Sequence, residues 1–289
     1  MRLRYLKIVL AALLVCGCAT KPPAPPPATP KPVKIGLALG GGAARGFAHI
    51  GVIKVLEAQG LVPDYVAGTS AGAVVGALYA AGSDGFELQK LAHWLDEAKI
   101  SDWSIPDRGV LKGESLQQFV NDAVAQRPLE GLKKPFAVVA TDLQSGESIV
   151  FRTGNTGMAV RASATVPGVF RPVSINGREY VDGGLSSLVP VRAVRQMGAD
   201  VVIAVDISAH PGSQPIRGTL DILLQTFTIM GQNLARYELK DADVVIRPQV
   251  DGFGATDFLA RHDAILEGEK AAQAALPQIR EAIRKASGR

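Results

Sequence analysis

The chain is 289 residues long, 47% hydrophobic, 20% charged and 6% aromatic. That composition can build a sizeable core and excludes a disordered chain. The formal charge of +4 gives nucleic acid no basic stripe to bind, because Arg2, Arg4 and Lys7 stand in an acid-free N-terminus and the rest is nearly balanced.

Those three cations form a basic leader, and Ile8 to Val15 is an unbroken apolar run of eight residues. A spanning helix needs roughly 20 apolar residues, so residues 1–17 are expected to be a secretory signal peptide. Val15-Cys16-Gly17-Cys18 resembles the lipobox at which bacterial lipoproteins are cleaved, with Cys18 as the lipidated residue. Cys16 departs from that pattern, and a plain signal peptide is the alternative. Residues 18–32 are expected to be a lipidated tether, because seven prolines between Lys21 and Lys34 bar helix and central strand. Such a segment extends at about 3.1 Å per residue where it is polyproline-like. Several acyl chains on one cysteine would hold the chain to a membrane. Ala19 after the cysteine resembles outer-membrane sorting signals, so the expected location is the cell envelope, on the outer membrane facing the periplasm. No cysteine follows Cys18, and the folded part is expected to lack disulfides.

Residues 33–289 read as one domain. Val33 to Leu39 predicts a strand, followed by Gly40-Gly41-Gly42 and a helix over Gly46 to Gln59 with apolar residues at helical spacing. Tyr65 to Ala67 predicts a second strand, then Gly68-Thr69-Ser70-Ala71-Gly72 and a small, apolar, buried helix over Ala73 to Ala81. Further strands are expected at 136–140, 148–151, 179–181, 201–205 and 244–246, and helices at 114–125, 190–197, 220–239 and 257–275. Alternating strands and helices imply an α/β fold, a mostly parallel central sheet with helices on both faces. No repeat is present. After Ser208 the pattern suggests a helical C-terminal extension.

Three segments can carry chemistry. Gly68-Thr69-Ser70-Ala71-Gly72 is a G-x-S-x-G on a strand-to-helix turn, with Gly68 and Gly72 giving room for a strained, nucleophilic Ser70. Gly40 to Gly46 also lies between strand and helix, where bare amides bind anions. It fails the P-loop pattern, since Phe47 and Ala48 stand where Lys and Ser/Thr are required. A loosened dinucleotide fingerprint lacks the acid expected about 20 residues on. The other reading is an oxyanion hole, whose amides stabilise the charge that develops when a serine attacks an ester. Third, Asp182-Gly183-Gly184 follows Tyr180-Val181 and ends a strand.

Of His49, His93, His210 and His262, only His210 and His262 fit the hydrolase order, which needs a late histidine after an acid, and neither has a strand-end or glycine-rich setting. A serine can instead take a different base within hydrogen-bond reach, and Asp182 is the candidate. The competing readings are a Ser-His-Asp esterase, a nucleotide-binding protein and a non-catalytic envelope lipoprotein. Asp142 is either structural or close to the site.

The order of glycine loop, G-x-S-x-G and distant D-G-G resembles the patatin-like phospholipases over about Ile35 to Val205. The resemblance includes Arg45 to Val52 and Arg161 to Pro167. It implies a Ser–Asp dyad, with Ser70 the nucleophile and Asp182 the base. It implies an oxyanion hole from the amides of Gly41 and Gly42, with Ala43 a third donor where the family more often has glycine, and Arg45 bracing that loop. It further implies acyl-ester hydrolysis of phospholipids, lysophospholipids or simpler lipids, with a membrane lipid as substrate and no metal or other cofactor.

Overall fold

The computed structural model describes residues 32–94, 111–212, 216, 218–254 and 256–288. The expected signal peptide, Cys18 and all but the last residue of the expected tether lie outside the described residues.

β1 (Ile35–Leu39) is buried along its whole length, as a strand covered on both faces must be. The glycine loop and a short 3-10 turn (Ala43–Gly46) lead into α1 (Phe47–Ala58). Then come β2 (Tyr65–Thr69), α2 (Ala71–Ala81), α3 (Gly85–Trp94), α4 (Glu114–Ala123), β3 (Phe136–Asp142), β4 (Ser148–Phe151) and α5 (Thr156–Ser163). β5 (Val173–Ile175), β6 (Arg178–Asp182), α6 (Val191–Gln196), β7 (Val201–Val205), α7 (Thr219–Glu238), β8 (Val244–Ile246) and α8 (Arg261–Ala286) complete the chain.

The strand order is β5-β6-β3-β2-β1-β7-β8, with β4 also paired to β3. The five strands from β3 to β8 in that order are mutually parallel. β4, β5 and β6 add an antiparallel flank, so the sheet is mixed around a parallel centre. The chain leaves β1 toward β2 and returns to its other side at β7, which makes the carboxyl ends of these strands a natural crevice for a ligand.

The alternation of side chains splits the core into two layers. Leu37, Leu39, Val66, Val138, Ile203 and Val205 share one cluster with α1, α2 and α8. Ala38, Ala67, Ala137 and Ala204 share the other with Val191 and Val194 of α6. The alanines let α6 approach closely. Helices α1 and α8 cross backbone to backbone: a Cβ on Gly51 would stand 2.0 Å from the carbonyl oxygen of Ile265, and one on Gly268 2.0 Å from that of Ala48. The segment after Ser208 is therefore built into the fold, since β8 extends the sheet and α8 covers α1.

Three elements go beyond the sequence expectation. α3 and the three-residue β5 have weak patterns. α5 begins at an Asn155 cap, whose Oδ1 accepts the amide of Met158 at 2.7 Å, a signal legible in the sequence. The last helix was expected to stop ahead of Pro277, but it runs to Ala286 with Pro277 inside. Ile279 is fully buried beyond the proline, and that packing carries the helix past the lost hydrogen bond.

Candidate active site

Ser70 turns β2 into α2 with φ 54° and ψ −119°, a backbone state that costs a non-glycine residue energy and persists where surroundings enforce it. The flanking glycines do not carry that strain; they give clearance. A Cβ on Gly68 would stand 2.3 Å from the carbonyl oxygen of Gly72, and one on Gly72 2.1 Å from that of Leu39. The amide of Ser70 donates to Oγ of Ser163 at 2.8 Å, and that hydroxyl donates to the carbonyl of Val139 at 2.5 Å. The positive end of α2 points at the same turn.

Sheet register brings Asp182 to this turn across more than a hundred residues. β2 pairs with β3 up to Thr69 opposite Val139. β6 pairs antiparallel with β3 from Ala140 opposite Asp182. β4 already holds residues 138–141 of β3 on one side, so β6 continues the edge that β2 leaves. The ends of β2 and β6 therefore meet at adjacent residues of β3. Gly183 makes this approach feasible, since a Cβ there would stand 2.2 Å from the carbonyl oxygen of Val139.

Asp182 is buried. Burial pushes its carboxyl up to about 6, against the smaller lowering by the Gly184 amide and the Ser70 hydroxyl. Oδ1 accepts the Gly184 amide at 2.8 Å. Oδ2 has no partner of full hydrogen-bond geometry, so the Ser70 hydroxyl stands near the carboxylate in a loose contact. Such contacts commonly tighten only when substrate binds.

The glycine loop requires one correction. The amide of Gly41, expected as an oxyanion donor, instead donates to the carbonyl of Leu188 at 3.0 Å. Gly40 likewise donates to Val205 at 3.0 Å. These bonds fasten the loop and leave the amides of Gly42 and Ala43 without an acceptor among the described residues. Ala43 has φ 52°, a conformation that glycine adopts more cheaply. Arg45 is buried and ties the loop to the segment after β8, donating from Nη1 to the carbonyl of Phe253 at 3.5 Å.

Other residues hold the frame. His49 is fully buried, and its Nε2 donates to the carbonyl of Gly40 at 2.8 Å. Burial lowers its pKa to about 4, so the ring is neutral. Ser187 donates to Glu238, and Val189 donates its amide to Oε2 of Glu238 at 3.0 Å. This pair positions Leu188, the acceptor for Gly41. Asp142 is structural: Oδ1 accepts the amides of Gln144 and Ser145 at 3.0 and 2.9 Å, and Oδ2 pairs with Arg178 at 2.6 Å. His210 pairs with Asp251 at 2.5 Å, both exposed. His262 lies beside His93, with ring centroids 5.9 Å apart and the rings tilted by 44°. No histidine is among the described residues that line the cavities at Ser70.

Two cavities meet at Ser70. One, of about 200 Å³, is almost wholly apolar and runs under α1, α2 and α3, past Phe47, Ile50, Val74, Leu78, Leu91 and Phe119. The other, of about 140 Å³, is more polar and includes Gly42, Ala43, Arg45, Asp182, Ser208 and Thr228. Ser163, His49 and Glu238 were not assigned roles from the sequence. Ser163 and His49 carried a signal, lying in the Arg161–Pro167 and Arg45–Val52 stretches, and Glu238 carried none.

A family model described as patatin-like phospholipase matches residues 37–195. An uncharacterized NTE family protein of Mycobacterium tuberculosis is 39% identical over 181 residues, covering 61% of this chain and 49% of that protein. Patatin-like phospholipase domain-containing protein 6 of Mus musculus is 33% identical over 184 residues, covering 61% of this chain and 14% of that protein. The chain thus spans about half the length, or less, of these curated relatives. Among solved structures, VipD from Legionella pneumophila shares the fold at TM-score 0.59 and 16% identity, covering 86% of this chain and 67% of that one.

Proposed function

This chain belongs to the patatin-like phospholipase family, and from that premise we propose that it hydrolyses lipid acyl esters through Ser70 and Asp182. The observation that carries the reading is the facing of a strained serine and a buried, unpaired carboxylate oxygen where an apolar and a polar cavity join. The acyl chain enters the apolar cavity, and the alcohol or headgroup lies in the polar one. Asp182 takes the proton of Ser70 as its Oγ attacks the ester carbonyl. Gly42 and Ala43 donate to the tetrahedral oxyanion, each such donor being worth about 3 kcal/mol. Asp182 returns the proton to the departing alcohol, then takes one from water, which attacks the acyl-serine. Release of the fatty acid restores the Ser70 hydroxyl.

Ser70→Ala is expected to abolish ester hydrolysis in a folded protein, and a fluorophosphonate is expected to label Ser70. Full activity of purified Ser70→Ala, or an adduct on another serine, overturns the assignment. A digest of total lipid extract by wild type and Ser70→Ala identifies the substrate.

The anchor at Cys18 and a place on the outer membrane facing the periplasm form part of the same reading. They are supported by the basic leader, the Ile8–Val15 run, Gly17-Cys18, Ala19 and the proline-rich segment. Cys18→Ser is expected to lose metabolic palmitate labelling and to move the protein from the membrane to the soluble fraction. Unchanged labelling refutes the anchor.

A further inference from the structure

Helix α7 departs from the usual rule for a surface helix, which turns charged and polar side chains to water. From Ile222 to Ala235 it carries no charged residue. Its inner face places Leu224, Phe227, Thr228 and Gly231 on the polar cavity at Ser70. Its outer face holds Ile222, Leu223, Ile229 and Met230, exposed by 56, 58, 44 and 50%. These positions recur at helical spacing and form one stripe with Thr226. The Thr226 hydroxyl donates to the carbonyl of Ile222 at 2.8 Å, so its proton is used within the helix. Beyond Met230 the same face carries exposed Asn233 and Tyr237, and the helix ends in a turn bearing exposed Arg236 and Lys240.

We propose that this outer face of α7 rests in the surface of a lipid leaflet, so that the cavity lined by its inner face opens at the bilayer. The proposal rests on the lipid-hydrolase reading above. Three features favour lipid over a protein partner. From Ile222 to Met230 the stripe's one polar side chain, Thr226, is bonded within the helix, whereas protein interfaces carry about one hydrogen bond per 100–200 Å². The same helix walls the cavity in which the ester would lie. The cations stand at its end, where phosphate headgroups would meet them. No helix among the described residues is long and apolar enough to cross a membrane, and a helix of this kind lies in the interface plane.

The test uses the full chain with Cys16→Ser and Cys18→Ser, carrying a polarity-sensitive fluorophore at Thr226→Cys. Phosphatidylcholine vesicles are expected to shift its emission to the blue. In the unlabelled chain, the double variant Ile222→Glu/Ile229→Glu is expected to lose about a hundredfold in vesicle partitioning, roughly tenfold per isoleucine. Its hydrolysis of vesicle phospholipid falls in parallel, while cleavage of a soluble short-chain ester stays close to the parent. Neither residue lines the cavity, and the soluble ester also reports correct folding. An emission that ignores vesicles, or unchanged partitioning of the variant, overturns the proposal. So does a blue shift without vesicles that tracks dimer formation in sedimentation, which would assign the face to a second copy. If the parent cleaves no ester at all, the hydrolase reading fails, and the fluorophore still decides the docking.

Discussion

Ser163 holds the backbone of Ser70: its Oγ accepts the Ser70 amide at 2.8 Å while donating to the Val139 carbonyl at 2.5 Å. One buried hydroxyl thus locks the strained turn to the strand that also seats Asp182. In Ser163→Ala both buried groups lose their partner, at about 1–3 kcal/mol each. The expected result is a melting temperature lower by several degrees. Loosening the Ser70 backbone also lowers kcat by about tenfold or more with KM little changed. Ser163→Thr keeps the hydroxyl and is expected to recover most of kcat. A kcat unchanged in Ser163→Ala would assign the residue to stability alone.

Asp182, the proposed base, has its carboxyl buried at a cost in stability. Its carboxyl is raised to about 6 from 3.8 by burial. The native state therefore holds the proton more tightly than the unfolded chain does. This term favours folding below about pH 4 and is lost as pH rises to about 6, a loss of about 3 kcal/mol. Asp182→Asn is expected to be more stable than wild type at pH 8 by denaturant unfolding, yet inactive. In wild type, kcat/KM is expected to rise through about pH 6 as the base ionises. A flat profile between pH 5 and 7 would contradict the role.

His49 has the opposite sign. Its lowered pKa, about 4 against 6.5, keeps the ring neutral in the fold while the unfolded chain takes up a proton. Stability from this group is present above pH 6.5 and is lost as pH falls toward 4, by about 3 kcal/mol. His49→Gln retains a donor for the Gly40 carbonyl and cannot titrate. It is expected to unfold less readily at pH 4.5, relative to its stability at pH 7.5, than wild type does. His49→Ala orphans that carbonyl and is expected to lower both stability and kcat.

The proposed acyl site predicts a chain-length preference. An apolar cavity of about 150 Å³ holds benzene, so one of about 200 Å³ accommodates roughly eight carbons. Esters near octanoyl are expected to give the highest kcat/KM among soluble p-nitrophenyl esters. Val74 lies one helical turn after Ser70 on the cavity wall. Val74→Phe is expected to lower the octanoyl-to-butyryl ratio of kcat/KM by about tenfold, since excess volume in a filled pocket costs about 1–3 kcal/mol. An unchanged ratio would place the acyl chain elsewhere.

The amino-acid sequence by itself determined the local elements that carry this site. Gly68 to Gly72 between an apolar strand and a small-residue helix, and Asp182 closing a strand ahead of two glycines, are patterns of period and turn chemistry, and both are found as read. So is the α/β alternation, because buried strands read as short apolar runs and the helices between them as longer segments. Local pattern could not reach contacts between distant segments. The engagement of Gly41 by Leu188, the neutral His49 under Gly40 and the Glu238 support for Ser187 arise where chain segments meet in space. Ser70 and Asp182 stand more than a hundred residues apart, and only β3 puts them side by side, by ending its pairing with β2 at Val139 and beginning it with β6 at Ala140. Register is a property of the assembled sheet, so that meeting, and the donors left free beside it, belonged to the tertiary structure.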